Sequence, residues 1–363
     1  MTLSSQPDVL IVGGGAIGLL SAWELAVSGL KVTVLERRRA ARESSWAGGG
    51  ILSPLNPWRY PEAVTALATW GQPRFRTVCE TLSQATGIDP EWTAGGLLAL
   101  DPEDEASARA WAKRWNCPME SLEPDEFRKR YHRLTPPSRL ALWLPEVAQL
   151  RTPRFGKALR SHLPTLGVEC RENTRVTAIR TEAERVRGVE TTQGRIDAEH
   201  VVLAAGAWSG ELAQSLGLKL EVRPVQGQML LYRGAPGLLG PIVLQGDRYL
   251  IPRRDGRILI GSTLDDYGFD KKTTREARED LHRSALNILP DLERLPIEHQ
   301  WAGLRPGQPG SIPWIGEHPR LRGLWVNTGH FRNGLVLSLA SARLLADLLQ
   351  KRAPILPAEP YAW

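Results

Sequence analysis

Val9-Leu10-Ile11-Val12-Gly13-Gly14-Gly15-Ala16-Ile17-Gly18 decides the fold class, because four apolar residues of largely β-branched character run straight into glycines and then into a helical pattern. The pattern predicts a strand, a glycine turn and a helix. The helix covers 16–28, stops at Gly29 and leads into a second strand, Lys31-Val32-Thr33-Val34-Leu35, that ends on Glu36. In Gly13-x-Gly15-x-x-Gly18 the glycines have separate steric tasks: a tight turn, room for a pyrophosphate against the backbone, and close packing of helix on strand. The helix N-terminus offers unpaired N–H groups to the phosphates. Glu36, 18 residues beyond Gly18, suits a ribose diol and repels a 2′-phosphate, which favours FAD or NAD over NADP.

The 363 residues correspond to roughly two domains at about 150 residues each. With 42% hydrophobic and 24% charged residues the chain reads as globular, and its apolar runs are cut by glycine well short of the ~20 residues of a membrane span. The start, Met1-Thr2-Leu3-Ser4-Ser5-Gln6-Pro7-Asp8, has neither a basic nor an apolar leader segment, so a cytoplasmic location is expected. The net charge of +6 comes from 46 basic and 40 acidic residues interspersed along the chain, a solvated surface rather than a nucleic-acid footprint. Arg37-Arg38-Arg39 with Arg42 is the one cluster that argues for a polyanionic partner. Cys79, Cys117 and Cys170 lie far apart without a CxxC, so neither a disulfide framework nor a metal site is expected.

Residues 58–133 read as mostly helical and polar, an excursion from the nucleotide-binding sheet. A helix over 153–166 closes at Gly167, and strands follow at 167–170, 175–179 and 186–191. A further strand-to-glycine step comes at Val201-Val202-Leu203-Ala204-Ala205-Gly206-Ala207-Trp208-Ser209. Strands dominate 220–263, a helix spans 275–289, and the chain ends with a strand over 323–327, a turn over 329–334 and a helix from Leu335 to about Gln350. Ser44-Ser45-Trp46-Ala47-Gly48-Gly49-Gly50-Ile51 is a run of small residues that either brings backbone close to a cofactor or forms an ordinary flexible loop.

Four segments together resemble the FAD-dependent amine and amino-acid oxidoreductases of the D-amino-acid oxidase and sarcosine oxidase type: Val9 to Gly18 with Glu36, Ser44 to Ile51, Val201 to Ser209, and Gly329-His330-Phe331-Arg332-Asn333-Gly334. Within that family, Trp301-Ala302-Gly303-Leu304-Arg305-Pro306 and the Gly-His-Phe-Arg-Asn-Gly turn are most similar to the glycine-oxidising branch of the thiamine pathway. The resemblance implies that Gly13, Gly15, Ala16, Ile17 and Gly18 serve the pyrophosphate, and that Glu36, Arg37 and the Val176 backbone serve the adenosine. It also implies that Ser44, Ser45, Gly49, Gly50, Ile51 and Gly206 run along the flavin, with His330, Phe331, Arg332, Asn333, Gly334, Leu335 and Val336 beneath its ring. A helix starting near Gly334 would direct its positive end at that ring. Relatives with covalent flavin use a cysteine after the Arg-Pro turn; here 307–314 is Gly-Gln-Pro-Gly-Ser-Ile-Pro-Trp, so noncovalent FAD is expected.

Oxidising an amino acid by hydride transfer asks for a clamp on the carboxylate, and the planar fork of arginine is suited to it. Arg305, in an apolar Gly-Leu-Arg-Pro setting, is the candidate; Arg332 is a second, serving substrate, flavin or a structural carbonyl. No residue is assigned an acid/base role. The stretch 249–262 reads as a hairpin about a two-residue Asp255-Gly256 turn, which pairs Tyr249 with Ser262 and Asp247 with Leu264 on one face. The resemblance puts Tyr249 on the substrate carboxylate, and the shared face makes Asp247 and Leu264 pocket walls.

The expected architecture is α/β: an FAD-binding Rossmann-like domain from 1–85, 147–220 and 302–363, and an inserted antiparallel-sheet substrate domain from 86–146 and 221–301. The resemblance implies a small amino acid or amine (glycine, sarcosine, D-alanine, D-proline) oxidised with molecular oxygen, a homotetramer, and a thiazole synthase downstream. Two alternatives remain open: a D-amino-acid dehydrogenase feeding quinone, and a tRNA-modifying FAD oxidoreductase. No RNA-binding module accompanies the second.

Overall fold

The computed structural model describes residues 6–363, so the reading of the first five residues lies outside it. The βαβ unit forms as strand Val9–Val12, helix Ala16–Val27 and strand Val32–Leu35, with Gly29 at φ 93° just past the helix. The two strands pair in parallel within a six-stranded sheet ordered 314–317, 324–328, 200–203, 9–12, 32–35 and 169–171, in which only the 314–317 edge runs antiparallel. Helices Ala16–Val27 and Ser338–Leu349 cover one face through Leu19, Leu344 and Leu345. A three-stranded antiparallel sheet over 176–197 joins the core of the other face through Ile179 and Val189. Burial on both faces explains why these strands read as unbroken apolar runs.

The second sheet has eight strands in the order Ile297–Gly307, Arg223–Arg233, Arg257–Gly261, Arg248–Pro252, Ile242–Gln245, Leu97–Leu100, Ala141–Leu144 and Glu120–Leu122. It is mixed rather than wholly antiparallel, because 242–245 and 97–100 pair in parallel. Helix Arg275–Ile288 packs Leu281, Ala285 and Ile288 on one face, against Leu230, Leu250 and Ile260. The opposite face carries Met229, Tyr249, Ile251 and Leu259 and looks toward the first sheet. Leu97–Leu100 sits inside the stretch expected to be helical; a four-residue apolar run without alternation belongs to a strand covered on both sides. Among the described residues no helix is long and apolar enough to cross a membrane.

The hairpin register differs from expectation by one residue. Tyr249 faces Gly261, Ile251 faces Leu259, and Arg253 N–H donates to Arg257 O, which leaves a three-residue loop with Gly256 at φ 87°. Asp-Gly here builds a turn closed by a left-handed glycine rather than a two-residue turn. Tyr249 is therefore opposite Gly261 rather than Ser262.

Gly18 shows why the fingerprint is steric: a Cβ there would lie 2.0 Å from the Gly13 carbonyl oxygen, where the helix crosses the strand end. Gly18→Ala is expected to lower the free energy of unfolding by about 1–3 kcal/mol through overpacking. Urea denaturation checks this; an unchanged midpoint would show that the crossing tolerates a methyl group.

Candidate active site

The first sheet ends its strands at Val12, Leu35 and Thr328, and these ends open onto the inner face of the second sheet. Between them lies a cavity of about 410 Å³, a size usual for ligand sites. Every residue expected at a cofactor lines it except Gly18, which packs behind. Arg305, Arg332 and Tyr249 line it too. Asp247 and Leu264 do not: Asp247 lies at the surface on Arg332, and Leu264, 42% exposed, falls outside the hairpin pairing.

Local chemistry fixes the wall atom by atom. Glu36, at the end of the second strand, accepts from Gly14 N–H at 2.9 Å with one oxygen and from Arg38 N–H at 3.0 Å with the other. Each oxygen keeps a lone pair for a further donor. Ser45 Oγ accepts from Ala16 N–H at 2.8 Å, which sets its hydroxyl at the start of the long helix. The small-residue run is no flexible loop: Trp301 donates to Ala47 O at 3.0 Å, Thr152 to Gly48 O at 2.8 Å and Arg253 to Gly49 O at 2.6 Å. Arg253 also donates to Gln149 Oε1 at 2.7 Å and Leu150 O at 3.0 Å, and burial pushes its guanidinium down to about 10.

Arg253, Thr152 and Trp208 were not legible as site residues. Arg253-Arg254 beside a turn reads as exposed, and only the tertiary approach of the small-residue run gives Arg253 its acceptors. The helix expected from Gly334 begins later: a 3-10 turn covers Phe331–Asn333 and the α-helix starts at Ser338, so its free N–H groups lie a turn further from the cavity wall than expected.

Arg305 stands on strand Ile297–Gly307, which belongs to the second sheet through Gly307. Its Nη1 donates to Gln226 O at 3.3 Å and Thr263 O at 3.2 Å, and its Nη2 to Ser262 Oγ at 2.6 Å. A β-bulge supplies two of these acceptors, Thr263 O and Ser262 Oγ. From Met229 to Gln226 is three residues, whereas their partners Gly261 and Asp265 are four apart. The extra residue re-aims the 262–263 segment at the guanidinium. A Cβ at residue 227 would lie 2.2 Å from the guanidinium nitrogens, so only glycine leaves room. Burial pulls the Arg305 pKa below its ordinary value, with the neighbouring Tyr249 opposing, and the group remains a cation. Among the described residues Arg305 forms no ion pair, unlike Arg332, which meets Asp247 at 2.8 Å.

The residues present fit a flavin. Asn327 Oδ1, Arg332 Nη2 and Asn333 Nδ2 are buried at the wall without a partner, one acceptor and two donors that complement the carbonyl and N–H edge of an isoalloxazine. His330 is held by Ser341 Oγ at 3.0 Å from Nε2, and burial depresses its pKa to about 3, so it is neutral. Residues 8–348 match the family model of the FAD dependent oxidoreductases. The chain belongs to that family. This FAD-dependent oxidoreductase is 50% identical to a glycine oxidase of Pseudomonas aeruginosa, covering 98% of each chain. It is 34% identical to the bifunctional protein ThiO/ThiG of Trichormus variabilis, covering 96% of this chain and 54% of that one. The crystal structure of glycine oxidase from Geobacillus kaustophilus superposes with a TM-score of 0.93 at 30% identity, covering 98% of each.

Because the folded His330 titrates near 3 and an unfolded histidine near 6.5, the unfolded chain gains a proton first as pH falls. Stability from this group is complete above about pH 6.5 and drains toward pH 3. His330→Gln is therefore expected to lose about 2–3 kcal/mol less than the wild type between pH 7 and pH 4.5, read by urea denaturation. Equal losses would mean that His330 does not govern acid sensitivity.

Proposed function

We propose that this oxidoreductase oxidises glycine and other small amines, among them sarcosine, D-alanine and D-proline. In this reading the Cα hydrogen leaves with both electrons of its bond as hydride, and the amine nitrogen gives up a proton as the C=N bond forms. The resulting imine takes up water to give glyoxylate, or the corresponding oxo acid, and ammonia, while dioxygen is reduced to hydrogen peroxide. FAD, bound noncovalently along the fingerprint, supplies the two-electron acceptor. The observation that carries the reading is Arg305, a half-buried cation without an ion pair among the described residues, facing a cavity that is also lined by Gly13 and Gly15 of the dinucleotide fingerprint and by Glu36. Burying such a charge is costly unless an anion meets it, and a carboxylate meets a guanidinium with two parallel bonds.

The chain's own residues divide the work. Arg305 grips the carboxylate and Tyr249 adds its hydroxyl to the same group, which fixes the Cα above the cofactor by position rather than by acid/base chemistry. Met229 and Tyr249 close the wall at that point and favour small side chains. Arg332, held by Asp247 through Nη1, keeps its Nη2 free for the cofactor or the substrate. Neutral His330 shapes the floor without supplying a proton. The identity to glycine oxidases supports the substrate class, and the bifunctional relative supports delivery of the imine to a thiazole synthase. A cytoplasmic homotetramer belongs to the same reading.

Arg305→Met is expected to raise KM for glycine by about 100-fold or more while the protein stays yellow, since a buried charged pair loses one partner. Unchanged kinetics would remove Arg305 from the site. Anaerobic mixing with glycine, sarcosine, D-alanine and D-proline is expected to bleach the yellow colour, and air to restore it with stoichiometric peroxide. Bleaching that reverses only with a quinone would assign a dehydrogenase. Acid precipitation is expected to leave the flavin in the supernatant; a yellow pellet would mean a covalent bond.

A further inference from the structure

The segment 264–274 joins the hairpin to helix Arg275–Ile288 and carries most of the exposed large hydrophobic residues among the described residues: Leu264 at 42%, Tyr267 at 56% and Phe269 at 37%, with Val27 the remaining one. Its root is tied to the second sheet by buried glutamines. Gln226 Nε2 donates to Asp270 O at 2.8 Å, and Thr274 N–H donates to Gln228 Oε1 at 2.9 Å. Its tip crosses to the other domain. There Phe269 stacks on Trp208, centroids 5.3 Å apart and planes at 24°, and Lys271 Nζ meets Glu43 Oε2 at 2.8 Å.

Trp208 and Glu43 both line the cavity, and both hold Arg37. The Arg37 guanidinium lies 3.5 Å over the Trp208 ring and pairs with Glu43 Oε1 at 3.2 Å. Arg37 follows Glu36, the residue placed for a ribose. Nothing in the sequence connects 269 and 271 to a nucleotide, yet each touches a cavity-wall residue from behind.

We propose that 264–274 is a clasp that retains the dinucleotide, with Phe269 and Lys271 as positioning residues that hold Trp208, Glu43 and through them Arg37 against the ribose corner of the cavity. Without Phe269 the Trp208 indole loses its outer neighbour. Without Lys271 the Glu43 carboxylate is shared by one cation instead of two. Both losses loosen Arg37 without touching Arg305 or Tyr249. The clasp rests on the reading that FAD occupies this cavity.

The test is FAD dissociation from holoenzyme, followed by the rise of free flavin fluorescence on dilution, together with Kd for reconstitution. Phe269→Ala is expected to release FAD about three- to tenfold faster, the scale of one aromatic pair, with Phe269→Tyr restoring retention. Lys271→Ala is expected to release it about two- to fivefold faster at low salt, the difference from wild type closing in 1 M NaCl, with Lys271→Arg restoring retention. Wild-type release rates in both alanine variants would overturn the clasp while leaving FAD binding intact. Faster release matched by an equal loss of thermal stability in the apo-protein, without rescue by Tyr or Arg, would also overturn it, as general loosening. A wild-type protein that takes up no FAD would instead overturn the underlying reading.

Discussion

A guanidinium set into the wall between two sheets, whose hydrogen-bond partners are neutral oxygens, is the constraint on which the site depends. Arg305 is held by two backbone carbonyls and one hydroxyl, and two of the three, Thr263 O and Ser262 Oγ, lie where they do because the strand after Gly261 carries one residue too many for its partner. A regular ladder would have spent the Thr263 carbonyl on strand pairing. The bulge turns it toward the fork, and the missing side chain at Gly227 makes room. Orientation is thus secured by neutral oxygens, with the Asp265 carboxylate acting on the charge without a direct ion pair.

The same economy appears on the cofactor side. The turn after Ser45 presents backbone to the cavity, and its carbonyls are bound from behind by an indole, a hydroxyl and a guanidinium that come from three different parts of the chain. Trp301 stands on the second sheet, Arg253 directly after its strand Arg248–Pro252, and Thr152 on the helix that follows the excursion. The seam between domains is therefore also the scaffold of the site, and neither sheet alone completes it. Glu36 is treated likewise: both oxygens are aligned by backbone N–H groups before any ligand arrives.

Much of this was legible in the residues. The strand–glycine–helix step, its acid and its C-terminal partner turn are local patterns with fixed spacing, and each lands on the cavity wall. The place of Arg305 on the cavity wall was legible from its Gly-Leu-Arg-Pro setting together with the family resemblance. The hairpin register was not, since Asp-Gly serves two turn geometries that differ by one residue; nor was the end of the strand at Gly261, which leaves Leu264 outside the expected wall. Leu97–Leu100 was hidden for a different reason: four apolar residues have no period to read, and only the sheet around them settles their conformation. Arg253 was hidden because its acceptors are backbone atoms distant in sequence.

The charge at Arg305, met by neutral hydrogen-bond partners, has an effect that reaches beyond its own pocket. Positive potential escaping from a cleft draws in small anions indiscriminately. On the function proposed above, acetate or pyruvate would offer the fork the same carboxylate as a zwitterion does. Everyday organic acids of the cell would thus become rivals at the doorstep, and selectivity would have to come afterwards, from the amino nitrogen whose lone pair drives the hydride out.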